Sequence, residues 1–406
     1  MSYVDSEIIL QIFSGGFSGG AVSYEVVEKK LLSALPGLNV KKVIMGWAPE
    51  KALYEKTAEL LAKRNIEFYL WFPVFSETGT IRPLQPLVDL WDRQLAGPKG
   101  GVAINDGVIN DGALDGGAIN GGEDFSFCCP NSPRNIEKIL DIFESEFASI
   151  PFTGIFLDKI RYPSFAQEDG MSGVFSCFCP HCQGKYFKAK FNFENLKEAL
   201  SRRVSAPLGI TNYRGNGYYV FEDPVIAEFF SLKAAFIYRY LAQLCDYFRE
   251  RGLKIGFDVF APFLSPFVAQ DLPKLSELCD FMKPMMYRLT NAPAGLPFET
   301  DALLWETGCV TPHERQRFYD LLGLNSREEH FDLAFAVKEL TNLNTSSACP
   351  IYAGMEINRK KDIAEVYPDY IEETARAYAG TGIRGLTLSW DLLEAPEENI
   401  EAVKKI

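Results

Sequence analysis

The chain has 406 residues, of which 47% are hydrophobic and 13% aromatic, and its formal net charge is −13. This length can bury a large core, either as two domains or as one large barrel. The negative charge argues against nucleic acid or an anionic membrane surface as a partner. No apolar run reaches the roughly 18 residues that a membrane span needs, so the sequence predicts none.

The N-terminal stretch "MSYVDSEIIL" lacks the basic start and long apolar segment of a secretory signal. We therefore expect a cytoplasmic protein. The nine cysteines are an odd number, which argues against a fully paired disulfide framework.

Eight short apolar runs rich in β-formers follow one another along the chain. They cover residues 7–13, 41–47, 66–72, 154–160, 253–260, 280–287, 350–357 and 383–390. Amphipathic helical patterns at 23–35, 49–65, 131–147 and 223–252 fall between them. Alternation of strands and helices predicts parallel pairing, and near-continuous apolar strands indicate a sheet buried on both faces.

Eight such units predict a (β/α)8 TIM barrel, with active-site residues at the C-terminal ends of its strands. We interpret residues 1–406 as one barrel domain. An open doubly wound sheet is the alternative, but no Gly-rich nucleotide-binding fingerprint follows the first strand.

The longest insertion lies between strands three and four, at about residues 74–131. It carries a pentapeptide-like repeat at 103–122, which reads AINDG, VINDG, ALDGG and AINGG. A Gly/Asn/Asp-rich array of turns explains this composition. A lid or cation-binding loop over the barrel mouth is the functional alternative, because loops that follow barrel strands face the active site.

Carboxylates stand at or near the predicted C-terminal ends of four strands. They are Asp158, Asp258, Glu356 and Asp391. One such residue could cap a helix or pair with a cation, but four around one rim favour a binding site. Five aromatic residues are predicted at the same rim, namely Trp47, Tyr162, Phe260, Tyr287 and Trp390. Carboxylates with aromatic platforms are typical of carbohydrate sites, and glycoside hydrolysis needs a pair of carboxyl groups.

The stretch "GIFLDKIRYPS" (154–164) resembles the fourth-strand signature of a broad set of hypothetical glycoside hydrolase barrels. Thr153 stands where that pattern usually has Asp. The preceding "CCPNSPRNIEKIL" (128–140) resembles the segment that leads into that strand. The resemblance implies a glycosidase, and it implies that Asp158 is the nucleophile.

The neighbouring residues fit separate roles for two carboxyl groups. Lys159 and Arg161 are expected to keep Asp158 ionised. Glu356 has the apolar neighbours Met355 and Ile357, which suit a protonated general acid. We therefore predict Asp158 as nucleophile and Glu356 as acid/base.

Asp258 and Asp391 are the substitutes for these two roles. Substrate-binding residues are predicted at Arg161, Asp258, Tyr287, Trp390 and Asp391. We favour retention of configuration, which requires carboxyl groups about 5–5.5 Å apart. A non-catalytic carbohydrate-binding or scaffold barrel is the alternative.

The motif "CFCPHC" supplies three thiols, Cys177, Cys179 and Cys182. We predict Cys129 as the fourth ligand of a structural zinc ion, with Cys128 as its substitute, because four thiolates fill a tetrahedral zinc site. The spacing is similar to the zinc cluster of glycoside hydrolase family 42, although that family's Asn-Glu pair on strand four is absent. His181 could replace one thiolate, and a set of reduced, buried cysteines is the alternative.

Overall fold

A computed structural model describes residues 6–12, 22–77, 84–95, 125–167, 169–202, 207–325 and 330–406, together with the backbone of 103–104 and 107–108. Within the predicted repeat, Ala103–Ile104 and Gly107–Val108 form a short antiparallel pair. The rest of the repeat, and with it the predicted lid, lies outside the described residues.

Eight parallel strands form one sheet. They are β1 (Glu7–Ile12), β2 (Val40–Met45), β3 (Glu67–Pro73), β4 (Gly154–Asp158), β5 (Lys254–Val259), β6 (Phe281–Pro284), β7 (Tyr352–Glu356) and β8 (Gly385–Ser389). The strand order is 6-5-4-3-2-1-8-7. Parallel bridges Met282↔Ile351 and Met285↔Gly354 join the two ends of this order. The prediction of a TIM barrel is confirmed, and the open-sheet alternative is wrong.

Helices lie between the strands along the chain, either around the barrel or in its insertions. They are α1 (Tyr24–Ala34), α2 (Lys51–Ala62), α3 (Pro133–Glu146), α4 (Gly170–Val174), α5 (Pro180–Lys188), α6 (Phe193–Ser201), α7 (Pro224–Glu250), α8 (Leu272–Leu275), α9 (Leu296–Glu306), α10 (Pro312–Leu322), α11 (Leu333–Ser346), α12 (Pro368–Ala379) and α13 (Glu397–Lys404). Among the described residues, no helix is long and apolar enough to cross a bilayer.

The four helices predicted from the sequence are α1, α2, α3 and α7, and their bounds agree within a few residues. Helix α3 begins after Ser132 with Pro133 in its first turn, although the Ser132 side chain makes no capping hydrogen bond. Helix α7 is capped by the Asp223 side chain, which accepts from Val225 N. Asp and Pro at these positions start helices because they satisfy or remove N–H groups that lack partners.

A second large insertion follows β4, and the sequence patterns did not reveal it. It contains α4, α5 and α6 and an antiparallel hairpin formed by Ile210–Tyr213 and Tyr219–Phe221. These helices are short, and a helix of fewer than about three turns gives a weak periodic signal. The insertion brings the C-x-C-x-x-C motif next to the segment that precedes α3.

Aromatic rings fill the barrel interior opposite glycines. The Phe281 ring lies 5.2 Å from Tyr69 and 5.8 Å from Phe156. A Cβ on Gly154 would lie 2.3 Å from Tyr69, and one on Gly256 would lie 2.3 Å from Phe281. Side chains alternate along a strand, so Asp158 shares the inward face of β4 with Phe156.

Candidate active site and cysteine cluster

Asp158 ends β4 at the mouth of the barrel and is partly exposed. Its two carboxylate oxygens accept different N–H donors. The Trp71 indole Nε1 donates to Oδ2 at 2.9 Å, and the Lys159 backbone N donates to Oδ1 at 2.5 Å. These bonds fix the orientation of the carboxylate while leaving part of it open to a ligand.

Lys159 turns the chain sharply after Asp158, with a backbone φ of +48°. Its ammonium group forms a buried ion pair with Glu77 at 3.1 Å, and both side chains are at most 3% exposed. Glu77 follows β3, and its backbone is also in the left-handed region, with a φ of +61°. Backbone conformations of this kind are disfavoured for residues other than glycine and are found in excess at functional sites. The ion pair therefore joins the segment after β3 to the residue that follows β4.

Arg161 is buried between two aromatic rings. Its guanidinium lies 4.8 Å from the Phe127 ring and 4.5 Å from the Phe260 ring, and it donates to the Tyr162 carbonyl at 3.0 Å. With 5% exposure, it offers little surface to a substrate. These contacts indicate that Arg161 shapes the loop after β4.

A buried polar network lies across the interior below the mouth. Lys283 on β6 donates to Asp258 at 2.9 Å and to Gln11 at 3.0 Å, and the Ser389 hydroxyl donates to Gln11 at 3.3 Å. The Tyr287 ring lies 5.4 Å from the Lys283 ammonium. Asp258 is thus the ion-pair partner of the buried Lys283.

Burial and charge set the pKa values in this network. Burial acts to lower the pKa of Lys283, but Asp258 and Tyr287 together outweigh it, and the pKa lies above its ordinary value. Burial raises the pKa of Tyr287 to about 12, against the opposite influence of Lys283. Lys283 is therefore charged and Tyr287 neutral near neutral pH.

Glu356 ends β7 and is fully buried. The segment after β6 covers it, and Leu289 N donates to its Oε1 at 2.6 Å. Burial raises the pKa of Glu356 to about 7, while the Leu289 N–H and the nearby Arg288 act to lower it. Glu356 thus keeps its proton at mildly acidic pH, as expected from its apolar sequence neighbours.

The end of β8 is held by Asn358, which follows β7. The Asn358 side-chain oxygen accepts from Trp390 N at 2.7 Å and from Asp391 N at 3.1 Å. The Asp391 side chain accepts from Leu393 N and caps the short 3-10 turn Leu392–Glu394. Asp391 therefore has a structural role in addition to its place at the mouth.

The aromatic surface predicted at the rim is mostly buried. Trp390 is partly exposed, whereas Trp47, Tyr162, Phe260 and Tyr287 are at most 4% exposed. Trp47, for example, donates its indole N–H to the Trp71 carbonyl at 2.9 Å. Trp390 is thus the ring of this set that a sugar could stack on.

Sequence reasoning missed several residues of this region, namely Gln11, Trp71, Glu77, Lys283 and Asn358. Gln11 and Lys283 carried a signal, because a polar residue inside an apolar barrel strand must find partners in the interior. Glu77 and Asn358 carried none because they lie outside the strands, where polar residues are ordinary, and Trp71 carried none because it fits the apolar pattern of its strand.

Four cysteines converge beside the loop that follows β4. The sulfur atoms of Cys129, Cys177, Cys179 and Cys182 all lie within 4.8 Å of one another, and all four residues are buried. Cys129 Sγ lies 3.4 Å from Cys179 Sγ and 3.6 Å from Cys182 Sγ. The choice of Cys129 over Cys128 agrees with the sequence prediction.

The cluster has the dimensions and the donors of a metal site. Zn–S bonds of about 2.3 Å in a tetrahedron place sulfur atoms about 3.8 Å apart, close to these distances. Asn131 Nδ2 donates to Cys182 Sγ at 3.2 Å, Asn131 N donates to Cys129 Sγ, and Val88 N donates to Cys177 Sγ at 3.3 Å. Such N–H···S bonds stabilise thiolate ligands.

Two lysines lie near the cluster. Lys185 donates to Asn131 Oδ1 at 2.6 Å. Lys233 is fully buried, donates to the Val174 carbonyl, and lies 3.8 Å from the centre of the Tyr162 ring. Burial lowers the pKa of Lys233 well below its ordinary value, and Cys177 and Cys182 act in the opposite direction. Anionic thiolates would therefore favour a charged Lys233.

No protein-family model and no curated protein matches the sequence. Among solved structures, the chain is similar to the glycoside hydrolase domain of PgaB (BpsB) from Bordetella bronchiseptica, with a TM-score of 0.54, 11% identity and 98% of both chains covered. A Group IV chitinase from Ostrinia furnacalis gives a TM-score of 0.45, 9% identity and 98% coverage of both chains. A chitinase from Bacteroides thetaiotaomicron gives 0.44, 9% identity, and 98% and 96% coverage. The first of these supports the barrel fold described above.

Proposed function

We propose that the protein is a glycoside hydrolase whose nucleophile is Asp158. One observation carries this proposal. Of the four predicted carboxylates, Asp158 and Asp391 are partly exposed, whereas Asp258 and Glu356 are buried, and Asp391 already caps the turn Leu392–Glu394. Two N–H donors also hold the Asp158 carboxylate in one orientation. A nucleophile needs such a fixed orientation because it must attack one atom of the substrate.

The proposed reaction has two steps. An oxygen of Asp158 forms a bond to the anomeric carbon while the bond to the leaving oxygen breaks, and a general acid gives that oxygen a proton. Water then releases the sugar from Asp158, and the acid recovers its proton. This sequence retains the configuration.

Glu356 is the proposed general acid. Its pKa of about 7 keeps it protonated where Asp158 must be ionised. Because Glu356 is fully buried, the segment that carries Leu289 must move aside for the proton to reach a substrate. Trp390, partly exposed at the end of β8, is the proposed stacking platform for a sugar ring.

The fold likeness supports the same class of activity, since the similar PgaB domain is a glycoside hydrolase domain. The sugar itself is left to experiment.

A panel of soluble oligosaccharides and polysaccharides, assayed for reducing ends, tests the proposal. Wild type should hydrolyse at least one member, and Asp158→Asn should lose at least about 1,000-fold of that turnover, typical of removing a catalytic group. Asp223→Asn is the matched control, because Asn also caps helices and Asp223 lies at the start of α7. Wild-type turnover in Asp158→Asn would overturn the role of Asp158.

The alternative is a barrel that binds carbohydrate without cleaving it. The ion pair of Asp258 and the burial of Glu356 favour this alternative, because both carboxyls are already engaged. Binding without hydrolysis across the panel would support it. Proton NMR of the first product anomer would separate retention from inversion.

We further propose that Cys129, Cys177, Cys179 and Cys182 hold one structural zinc ion. The zinc would join the segment before α3 to the insertion after β4. A site closed by four thiolates has no position for a substrate, so its contribution is to stability.

Elemental analysis of the purified protein should give one zinc per chain. Cys182→Ser should lose that zinc and lower the unfolding midpoint, whereas Cys309→Ser, which changes a buried cysteine outside the cluster, should keep it. A metal-free wild type with four freely reactive thiols would contradict the proposal.

A further inference from the structure

A pair of thiols separate from the four-cysteine cluster lies at the amino end of the barrel, at the opposite end of the strands from Asp158. Cys279 precedes β6 and Cys349 precedes β7, and their sulfur atoms lie 3.5 Å apart. The residues are 7% and 9% exposed, so they lie just beneath the surface at this end of the barrel. Two thiols do not complete a tetrahedral zinc site, which needs four ligands.

Bonds that do not involve sulfur hold the two loops together. Ala348 N donates to the Ser276 hydroxyl at 2.8 Å, and Met282 N donates to the Pro350 carbonyl at 3.0 Å. The two thiols are therefore kept face to face by the backbone of their own loops.

The pair spans the seam at which the barrel closes. Neighbouring strands elsewhere in the barrel share continuous ladders, whereas β6 and β7 are joined by the separate bridges Met282↔Ile351 and Met285↔Gly354. These two strands also lead to Tyr287 and Glu356. A covalent link between Cys279 and Cys349 would join β6 to β7 at the amino end of the barrel, opposite Tyr287 and Glu356.

We propose that Cys279 and Cys349 form a reversible oxidation site, at which a hydroperoxide converts the two thiols into an intramolecular disulfide across the β6–β7 seam. A disulfide needs an S–S distance of about 2.05 Å, so the sulfur atoms must approach by about 1.5 Å. Rotation of the two side chains and a small shift of the loops supply that movement.

The two thiols take different parts in the reaction. Hydrogen bonds from the Cys279 thiol, and more weakly from Ser347, hold the pKa of Cys349 below its ordinary value despite burial. Burial raises the pKa of Cys279. The Ser347 hydroxyl also lies 3.6 Å from the Cys349 sulfur, where it can stabilise a thiolate, so the first attack is assigned to Cys349.

The atoms balance with one peroxide. The Cys349 sulfur attacks one peroxide oxygen, the O–O bond breaks, and the other oxygen leaves as water, which gives a sulfenic acid. The Cys279 sulfur then attacks the Cys349 sulfur, and the sulfenic oxygen leaves with a proton as the second water. Two thiols and one molecule of hydrogen peroxide thus yield one disulfide and two waters; an organic hydroperoxide yields an alcohol in place of the first water.

The test uses the full chain with its metal content unchanged. The protein is treated with hydrogen peroxide, free thiols are alkylated under denaturing conditions, and the digest is mapped by mass spectrometry without reduction. The expected result is a linked peptide that joins Cys279 to Cys349 and disappears on reduction. The link closes a long loop, so the unfolding midpoint should rise by a few degrees under non-reducing conditions.

Variants identify the pair. Cys279→Ser and Cys349→Ser should each abolish the linked peptide and the rise in the midpoint. Cys245→Ser is the matched control, because Cys245 is buried near Cys279 but is outside the pair, and it should keep both effects.

Three results would overturn the proposal. One is a wild-type protein in which both thiols stay alkylatable after excess peroxide. Another is a Cys349 that is oxidised beyond sulfenic acid without any link to Cys279. The third is a link from either residue to Cys245. The wild-type map decides between these outcomes even where a serine variant fails to fold.

Discussion

The ends of β4 and β7 place a carboxyl group in opposite settings. Asp158 is partly exposed and accepts two N–H donors, one from Trp71 and one from the adjoining backbone. Glu356 is fully buried, and its pKa is raised to about 7 by that burial. The carboxylate at the end of β4 is open to a ligand. The carboxyl group at the end of β7 is covered by a neighbouring segment and is protonated at mildly acidic pH.

This difference arises from the segments beyond each strand. After β4 the chain turns at once through the left-handed Lys159, whose side chain pairs with Glu77 instead of covering Asp158. Beside β7, the residues after β6 fold over Glu356. The position of a carboxylate in a strand thus determines whether its side chain points into or out of the barrel. The neighbouring loops determine how exposed that side chain is.

The largest effect on stability is expected from Lys159→Met. This change leaves the Glu77 carboxylate buried without its ion-pair partner, and breaking a buried pair in this way costs about 3–5 kcal/mol. Chemical unfolding measures the loss. Lys197→Met, which breaks the exposed pair with Glu194, should change stability by at most about 0.5 kcal/mol.

The double variant Glu77→Gln/Lys159→Met sharpens the point, since it removes both charges and should recover part of the loss. Equal losses in the single and double variants would show that the ion pair does not hold the β4 end.

A second test concerns the proton of Glu356. Its pKa is about 7 in the folded protein against 4.5 for an ordinary glutamate carboxyl, so between these pH values the folded state holds a proton that the unfolded state has released. The free energy of unfolding should therefore fall as pH rises from about 4.5 to 7. The fall is about 3 kcal/mol, at 1.36 kcal/mol per pKa unit. Glu356→Gln should remove the contribution of Glu356 to this dependence and be more stable than wild type at pH 8.

Glu339→Gln is the matched control for that test. Glu339 is also buried with its pKa raised to about 7 by burial, and it accepts from the Tyr213 hydroxyl. Both variants should flatten the pH dependence of stability, but only Glu356→Gln should impair turnover. Equal turnover in the two variants would remove Glu356 from the mechanism.

A smaller effect is expected from Trp71→Phe, which deletes the indole N–H that holds Asp158 Oδ2. The carboxylate should keep its backbone donor, so kcat should fall about tenfold, equivalent to about 1.4 kcal/mol. Trp47→Phe removes an indole bond of the same length to a backbone carbonyl, and it should lower the unfolding midpoint with little change in kcat. A kcat in Trp71→Phe equal to that of wild type would argue against a positioning role for Trp71.

The cysteine cluster shows how far a local pattern reaches. The spacing of Cys177, Cys179 and Cys182 predicted three ligands of one site, because thiols two and three residues apart at a helix start can face one centre. The same motif left two candidates for the fourth position. The folded segment before α3 places the sulfur of Cys129 in the cluster and leaves Cys128 outside it.

The sequence alone determined the barrel and the strand on which Asp158 lies. Apolar runs of similar length occur eight times, with helical patterns between several of them, and a parallel sheet buried on both faces leaves its polar groups at the strand ends. The same pattern placed Asp158 at the C-terminal end of its strand. These properties depend on residues close together in the chain.

Only the tertiary structure decided which strand-end carboxylate is exposed and which groups bind it. Trp71 and Glu77 come from β3 and the loop after it, and Lys283 reaches Asp258 and Gln11 from β6. These partners lie tens to hundreds of residues apart in sequence. Hydrogen bonding, burial and pKa depend on distances in space, and no local pattern of residues encodes them.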